Sequence, residues 1–178
     1  FSSVITDSGE SYKFSIRHTQ IGPSVALVDP ELTVSMPPAL TAATGMDALI
    51  HAVEAFTSKN ATSITDMLAR QAMQLIAQNI RTAYADGSNL DARSDMLEAS
   101  LLAGMAFCNA GVTAVHAFAY PIGAEFHIPH GVANSIMLTP VMEFNQLGNL
   151  KKFAEMAGYL GESTAGLSTR DAAKTAVE

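Results

Sequence analysis

An aspartate and a histidine four residues apart, Asp47 and His51, stand in the run Leu40-Thr41-Ala42-Ala43-Thr44-Gly45-Met46-Asp47-Ala48-Leu49-Ile50-His51. Residues i and i+4 share one face of a helix, so this carboxylate and imidazole can reach a single ion. A second segment, 115–134, supplies His116, His127 and His130. The pattern predicts that the two segments close on one divalent metal. Three imidazoles and one carboxylate are too rich in nitrogen for Mg²⁺ or Ca²⁺ and suit Fe²⁺, Zn²⁺, Co²⁺ or Ni²⁺. One anionic ligand leaves such a centre net positive, able to polarise a carbonyl or stabilise an alkoxide. Hydride transfer, hydrolysis and plain structural support are all compatible with that charge.

Each residue also has a plainer reading. Asp47 follows Thr44 by three positions and can be the N3 member of a capping box. His51 and His116 lie among apolar neighbours and fit hydrogen-bonded core histidines. His130, between Pro129 and Gly131, suits either a binding loop or an ordinary turn. His127 is ambiguous, and His18, in the β-rich start, reads as a surface residue.

The elements that must position these groups follow from periodicity. Residues 1–5 and 12–16 read as a hairpin around Asp7-Ser8-Gly9-Glu10, and 24–28 as a third strand ended by Asp29-Pro30. Three short strands cover one another poorly, so this stretch is expected to lean on something larger, with the chain beginning inside a domain. From Pro37 onward the spacing is helical. Thr41 or Thr44 is the expected cap of a first helix carrying Met46, Leu49, Ile50, Val53 and Phe56. A second helix starts at Thr62 or Ser63, with Ser63 and Asp66 as its capping box, and stops at Asp86-Gly87. A third covers 91–107. Pro121, helped by Gly123, predicts a kink or break near Tyr120, and Pro140 an interruption of the helix that follows His130. Further helices are expected at 150–160 and from Ser168 into the end of the chain, where an unfinished helix suggests missing sequence. The whole reads as mainly α, a helical bundle preceded by a few short β-strands, without internal repeats.

Composition narrows the partners. A formal charge of −7 with no basic stripe argues against nucleic acid and anionic membranes. No apolar run approaches the roughly 20 residues of a membrane-spanning helix, and the first residues lack a signal-peptide pattern. The one cysteine, Cys108, cannot make an internal disulfide, which fits a cytoplasmic protein.

The run Ala39-Leu-Thr-Ala-Ala-Thr-Gly-Met-Asp-Ala-Leu-Ile-His-Ala-Val-Glu-Ala, with His116-Ala-Phe-Ala-Tyr-Pro-Ile-Gly-Ala and Pro129-His-Gly-Val-Ala-Asn134, resembles the iron-containing (group III) alcohol dehydrogenases. The resemblance spans nearly the whole chain. It implies Asp47, His51, His116 and His130 as ligands of a catalytic Fe²⁺, or Zn²⁺ in some members. It implies that 1–36 is the C-terminal remnant of an α/β dinucleotide-binding domain and 37–178 a helical metal-binding domain truncated at its C-terminus. Val4 and Lys13, with Leu40, would lie along NAD or NADP, while most cofactor contacts would belong to a preceding half.

The implied activity is interconversion of an alcohol with an aldehyde or ketone by metal-assisted hydride transfer to or from the nicotinamide. The substrate would be a small molecule, and a homodimer is one candidate assembly. A hydroxyacid–oxoacid transhydrogenase or polyol dehydrogenase on the same scaffold is the alternative, as is a catalytically inert metal-binding piece; the chain by itself is expected to oxidise little or no alcohol. Many relatives carry a second histidine four residues after the third ligand, where this chain has Tyr120. A phenol, with an ordinary pKa near 10, is the poorer proton relay at neutral pH, so the proton route differs here or passes through His127.

Overall fold

The computed structural model describes residues 2–7 and 12–178, with side chains described at Ile5, at Ile16 and from His18 onward. Ser2–Asp7 (β1) and Tyr12–Arg17 (β2) pair antiparallel, with Val4 opposite Ser15 and Thr6 opposite Lys13. Residues 8–10 of the expected turn lie outside the described residues. No third strand forms at 24–28, where Val25 and Leu27 are 78% and 92% exposed. The β-branched composition supplies propensity, but a strand needs a neighbour to take its backbone N–H and C=O groups.

The first helix, Pro38–Thr57 (α1), begins earlier than expected. Pro37 is extended, and Pro38 takes the first helical position, where a missing N–H costs nothing. Neither threonine caps it. Thr41 is buried inside the helix, and the Thr44 hydroxyl turns back to the Leu40 carbonyl at 2.8 Å. Asp47 therefore lies in the helix interior, and the capping-box reading falls away.

The second helix, Ser63–Ala85 (α2), is capped by a reciprocal pair, Thr62 with Thr65, and not by the expected Ser63 and Asp66. Asp66 instead accepts from Lys152 Nζ at 2.7 Å. The third, Leu90–Ala110 (α3), is opened by Asn89 and closed by Gly111 at φ +80°, three residues past the expected end.

These three helices form the core of the bundle. Ile50, Val53 and Phe56 of α1 are buried with Met73 and Ile76 of α2, and with Ala99, Ala103 and Ala106 of α3. The alanines let backbones approach closely. Arg93 of α3 is buried and donates to the Gly87 carbonyl, the Thr41 hydroxyl and the Met36 carbonyl, fixing the start of α1 against α3.

Ala114–Glu125 (α4) and His130–Asn145 (α5) each run through a proline without ending there. Pro121 and Pro140 cancel one bond apiece, to the carbonyls of Ala117 and Ile136. Both of those residues are exposed, so water can take the orphaned oxygens while the opposite face stays packed. Leu150–Tyr159 (α6) and Thr169–Thr175 (α7) close the far end, burying Phe153, Met156 and Ala173. α7 finishes at Thr175 and does not run into the terminus as expected. Among the described residues no single helix is long and apolar enough to cross a membrane; α3 and α4 meet both conditions only jointly, across a bend of 106°.

Candidate metal centre

Three helices bring the chemistry together. On α1, Asp47, His51 and Glu54 fall at i, i+4 and i+7 and share one stripe. His116 stands in the first turn of α4 and His130 is the first residue of α5, with Asn134 one turn later. The approach of α5 to α1 depends on Gly131. A Cβ placed there would come within 2.1 Å of the Ala43 carbonyl oxygen, so only glycine allows this contact.

The donor atoms converge. Asp47 Oδ1 lies 3.6 Å from His116 Nε2 and 3.6 Å from His130 Nε2, and Asp47 Oδ2 lies 3.8 Å from His51 Nδ1. Ligands on a tetrahedral ion at bonds of about 2.1 Å sit roughly 3.4 Å from one another, close to these separations. One donor atom each from Asp47, His51 and His116 lies within 4.8 Å of the others. His51 is sandwiched between Phe107 and His116, both 4.3 Å away centroid to centroid and nearly parallel. His130 is the most open of the four, its side chain 36% exposed.

Asn134 shows that this cluster suits a cation. Its Nδ2 donates to Asp47 Oδ1 at 2.6 Å and lies 3.2 Å from His116 Nε2 and 3.1 Å from His130 Nε2. An amide nitrogen carries two hydrogens and here faces a carboxylate oxygen and two ring nitrogens, while its own Oδ1 is buried without a partner. A positive centre among Asp47, His116 and His130 would meet all three atoms at once, in place of the proton that His116 otherwise holds against Asp47.

Glu54 is fully buried, and both of its oxygens are used. Oε1 accepts from Thr113 N at 2.9 Å, from the Thr113 hydroxyl at 2.5 Å and from Val115 N at 2.8 Å; Oε2 meets His116 Nδ1. No Thr113 side-chain bond caps α4, and the carboxylate of α1 takes over that task at the positive end of the helix.

Protonation follows from these contacts. Burial, reinforced by the neighbouring His116, pushes His51 down to about 4, so it is neutral and able to ligate. Burial also opposes charge on His116, but the contacts with Asp47 and Glu54 outweigh it and lift the ring to about 9. For Asp47 and Glu54 burial would raise the carboxyl, yet the surrounding imidazoles and N–H donors hold both below their ordinary range.

The remaining expected residues scatter. Tyr120 stacks on His130 at 5.4 Å and lies 6.4 Å from His116, at the edge of the cluster. Leu40 is half exposed on the first turns of α1, seven residues before Asp47 and near the same stripe. Val4 and Lys13 belong to the hairpin strands, and their side chains lie outside the described residues. His127 is exposed in the link between α4 and α5 at φ +52°. His18 is exposed, and its Nδ1 accepts from Gln20 N. Glu54 and Asn134 were missed from sequence. Their signals were a carboxylate inside the apolar stripe of α1 and an amide one turn after His130.

A family model described as "Fe-containing alcohol dehydrogenase family, C-terminal" matches residues 41–178. The chain is 52% identical over 174 residues to a 1,3-propanediol dehydrogenase of Klebsiella pneumoniae, covering 98% of this chain and 45% of that protein. It is 44% identical over 175 residues to an NAD-dependent methanol dehydrogenase of Bacillus methanolicus, covering 98% of this chain and 46% of that one. A crystal structure of 1,3-propanediol oxidoreductase superposes with a TM-score of 0.95 at 51% identity, over 99% of this chain and 46% of the other. The chain thus spans under half the length of these relatives.

Proposed function

This chain belongs to the Fe-containing alcohol dehydrogenase family, and on that premise we propose that it supplies the metal-binding part of an NAD(P)-linked alcohol dehydrogenase. The observation that carries the reading is the convergence of Asp47, His116 and His130 on Asn134 Nδ2, with His51 beside them. We assign Asp47, His51, His116 and His130 as the metal ligands. Fe²⁺ is the first choice and Zn²⁺ the second. When bound, the metal supplies Lewis acidity toward an alcohol or carbonyl oxygen, and the nicotinamide accepts or returns the hydride.

The residues of this chain do the rest. Asp47 contributes the one ligand charge and leaves the centre net positive. Phe107 and His116 enclose the His51 ring on both faces, which holds it in place and keeps water from that side. Tyr120 lies against His130 on the open side, where its hydroxyl can hydrogen-bond a substrate oxygen and stand at the start of a proton route. Residues 1–36 are read as the end of a dinucleotide-binding domain and 37–178 as the helical domain. The exposed Val25, Leu27 and Leu32 support that division, as does a family match that begins at residue 41. Val4, Lys13 and Leu40 are assigned to the nucleotide, the protein to the cytoplasm, and a homodimer as its assembly. The substrate is proposed to be a small primary alcohol or diol, in keeping with the names of the relatives.

The test is oxidation of 1,3-propanediol and methanol with NAD⁺ or NADP⁺ by a protein that joins this chain to a nucleotide-binding half such as its relatives carry, the 178 residues alone being expected to oxidise little or none. Activity that is abolished by a chelator and restored by Fe²⁺ or Zn²⁺ is the expected result; turnover indifferent to chelation would overturn the reading.

A further inference from the structure

We propose that Glu54 is the positioning residue of this centre: it fixes the His116 ring with a proton on Nδ1, so that the Nε2 lone pair is presented to the metal. The inference rests on the metal-site reading above. Glu54 cannot itself be a ligand in this geometry, because both of its oxygens are engaged away from the cluster. Oε1 is held by three hydrogens from Thr113 and Val115, and Oε2 meets the far nitrogen of His116. The near nitrogen, Nε2, is the one that faces Asp47 and Asn134.

An ionised carboxylate only accepts hydrogen bonds, so Nδ1 must be the donor in that contact. A neutral imidazole that donates from Nδ1 has its lone pair on Nε2, the arrangement a metal needs. The same carboxylate takes the N–H groups at the start of α4, two of them within three residues of His116. One side chain of α1 thereby sets both the docking of α4 and the orientation of the ring it carries.

Glu54→Gln separates this role from simple support. An amide has one acceptor and one donor arm, whereas this pocket asks for two acceptors. The three hydrogens from Thr113 and Val115 claim the amide oxygen, which turns the NH₂ toward His116 Nδ1. The ring must then accept at Nδ1 and carry its proton on Nε2, blocking the ligand position. Removing such partners weakens metal binding about 10- to 100-fold in known sites, and a loss of that order is expected here.

The experiment has two arms on the intact protein. In the first, histidine is ¹⁵N-labelled and His116 is assigned with a His116→Gln variant. The Nδ1 and Nε2 shifts of wild type, measured without metal at a pH high enough for the ring to be neutral, should be those of a protonated and a bare nitrogen respectively, and in Glu54→Gln the two should exchange. A bare Nδ1 in the wild type would overturn the proposal without reliance on any variant. In the second arm, Zn²⁺ affinity is measured by chelator competition, with metal-free melting as a check on folding. Unchanged Zn²⁺ affinity in a folded Glu54→Gln protein would also overturn it. Failure of the wild type to bind Zn²⁺ would count against the metal-site reading instead, and the metal-free shift would still decide the role of Glu54.

Discussion

His51 and His116 lie 4.3 Å apart and respond to pH in opposite ways. His51 has its folded value pressed from 6.5 to about 4, so below 6.5 the unfolded chain takes up a proton that the folded chain refuses. Its contribution to stability is therefore lost as pH falls from 6.5 toward 4. His116 is raised from 6.5 to about 9, so its charged contacts stabilise fully below 6.5 and fade as pH rises toward 9. Melting of the metal-free protein is expected to peak near pH 6.5 and decline on both sides. In His51→Phe, which keeps the stacking on Phe107, the decline between 6.5 and 4 should largely vanish. Equal acid limbs in the two proteins would refute the assignment. From sequence, Asp47 and His51 were legible because i, i+4 spacing is a local property. Glu54 and Asn134 were not singled out, because their value depends on which atoms of α4 and α1 they meet, and those partners lie 59 to 62 and 87 positions away.

At the scale of elements, the site depends on how closely α5 can lie on α1. Gly131 sits where any side chain would collide with the Ala43 carbonyl. Gly131→Ala is expected to push the start of α5 outward, cost about 1–3 kcal/mol in stability, and lower metal affinity because His130 and Asn134 move with the helix. Denaturant titration and chelator competition measure the two effects, and a variant equal to wild type in both would contradict the role given to this contact. Helix number and order were readable because long apolar stripes with clear stops leave little choice. The start of α1 was set too late, at Thr41 or Thr44, because Pro37 offers no side-chain cap to mark it, whereas α2 begins where expected and only its capping pair differs. Neither Pro121 nor Pro140 ends its helix, because the lost bonds fall on exposed carbonyls, and burial of the opposite face is invisible to a local proline rule. The strand expected at 24–28 had the composition, but among the described residues no neighbour pairs with it.

At the scale of the whole molecule, the proposed ligands come from three helices and span residues 47 to 130, so the folded bundle is itself the metal-binding device. The exposed apolar side chains of 24–34 hold none of the proposed ligands and belong to the side of the chain assigned to the nucleotide. Individual histidines could be explained singly as core or turn residues; only their meeting around Asp47 discriminates, and that is a property of tertiary structure. The most direct measurement is therefore metal content and Zn²⁺ affinity in wild type, His51→Ala and His130→Ala, each checked for folding. One ion per chain in the wild type, with binding lost or greatly weakened in both folded variants, is the expected result. Full metal retention in both variants would contradict the site.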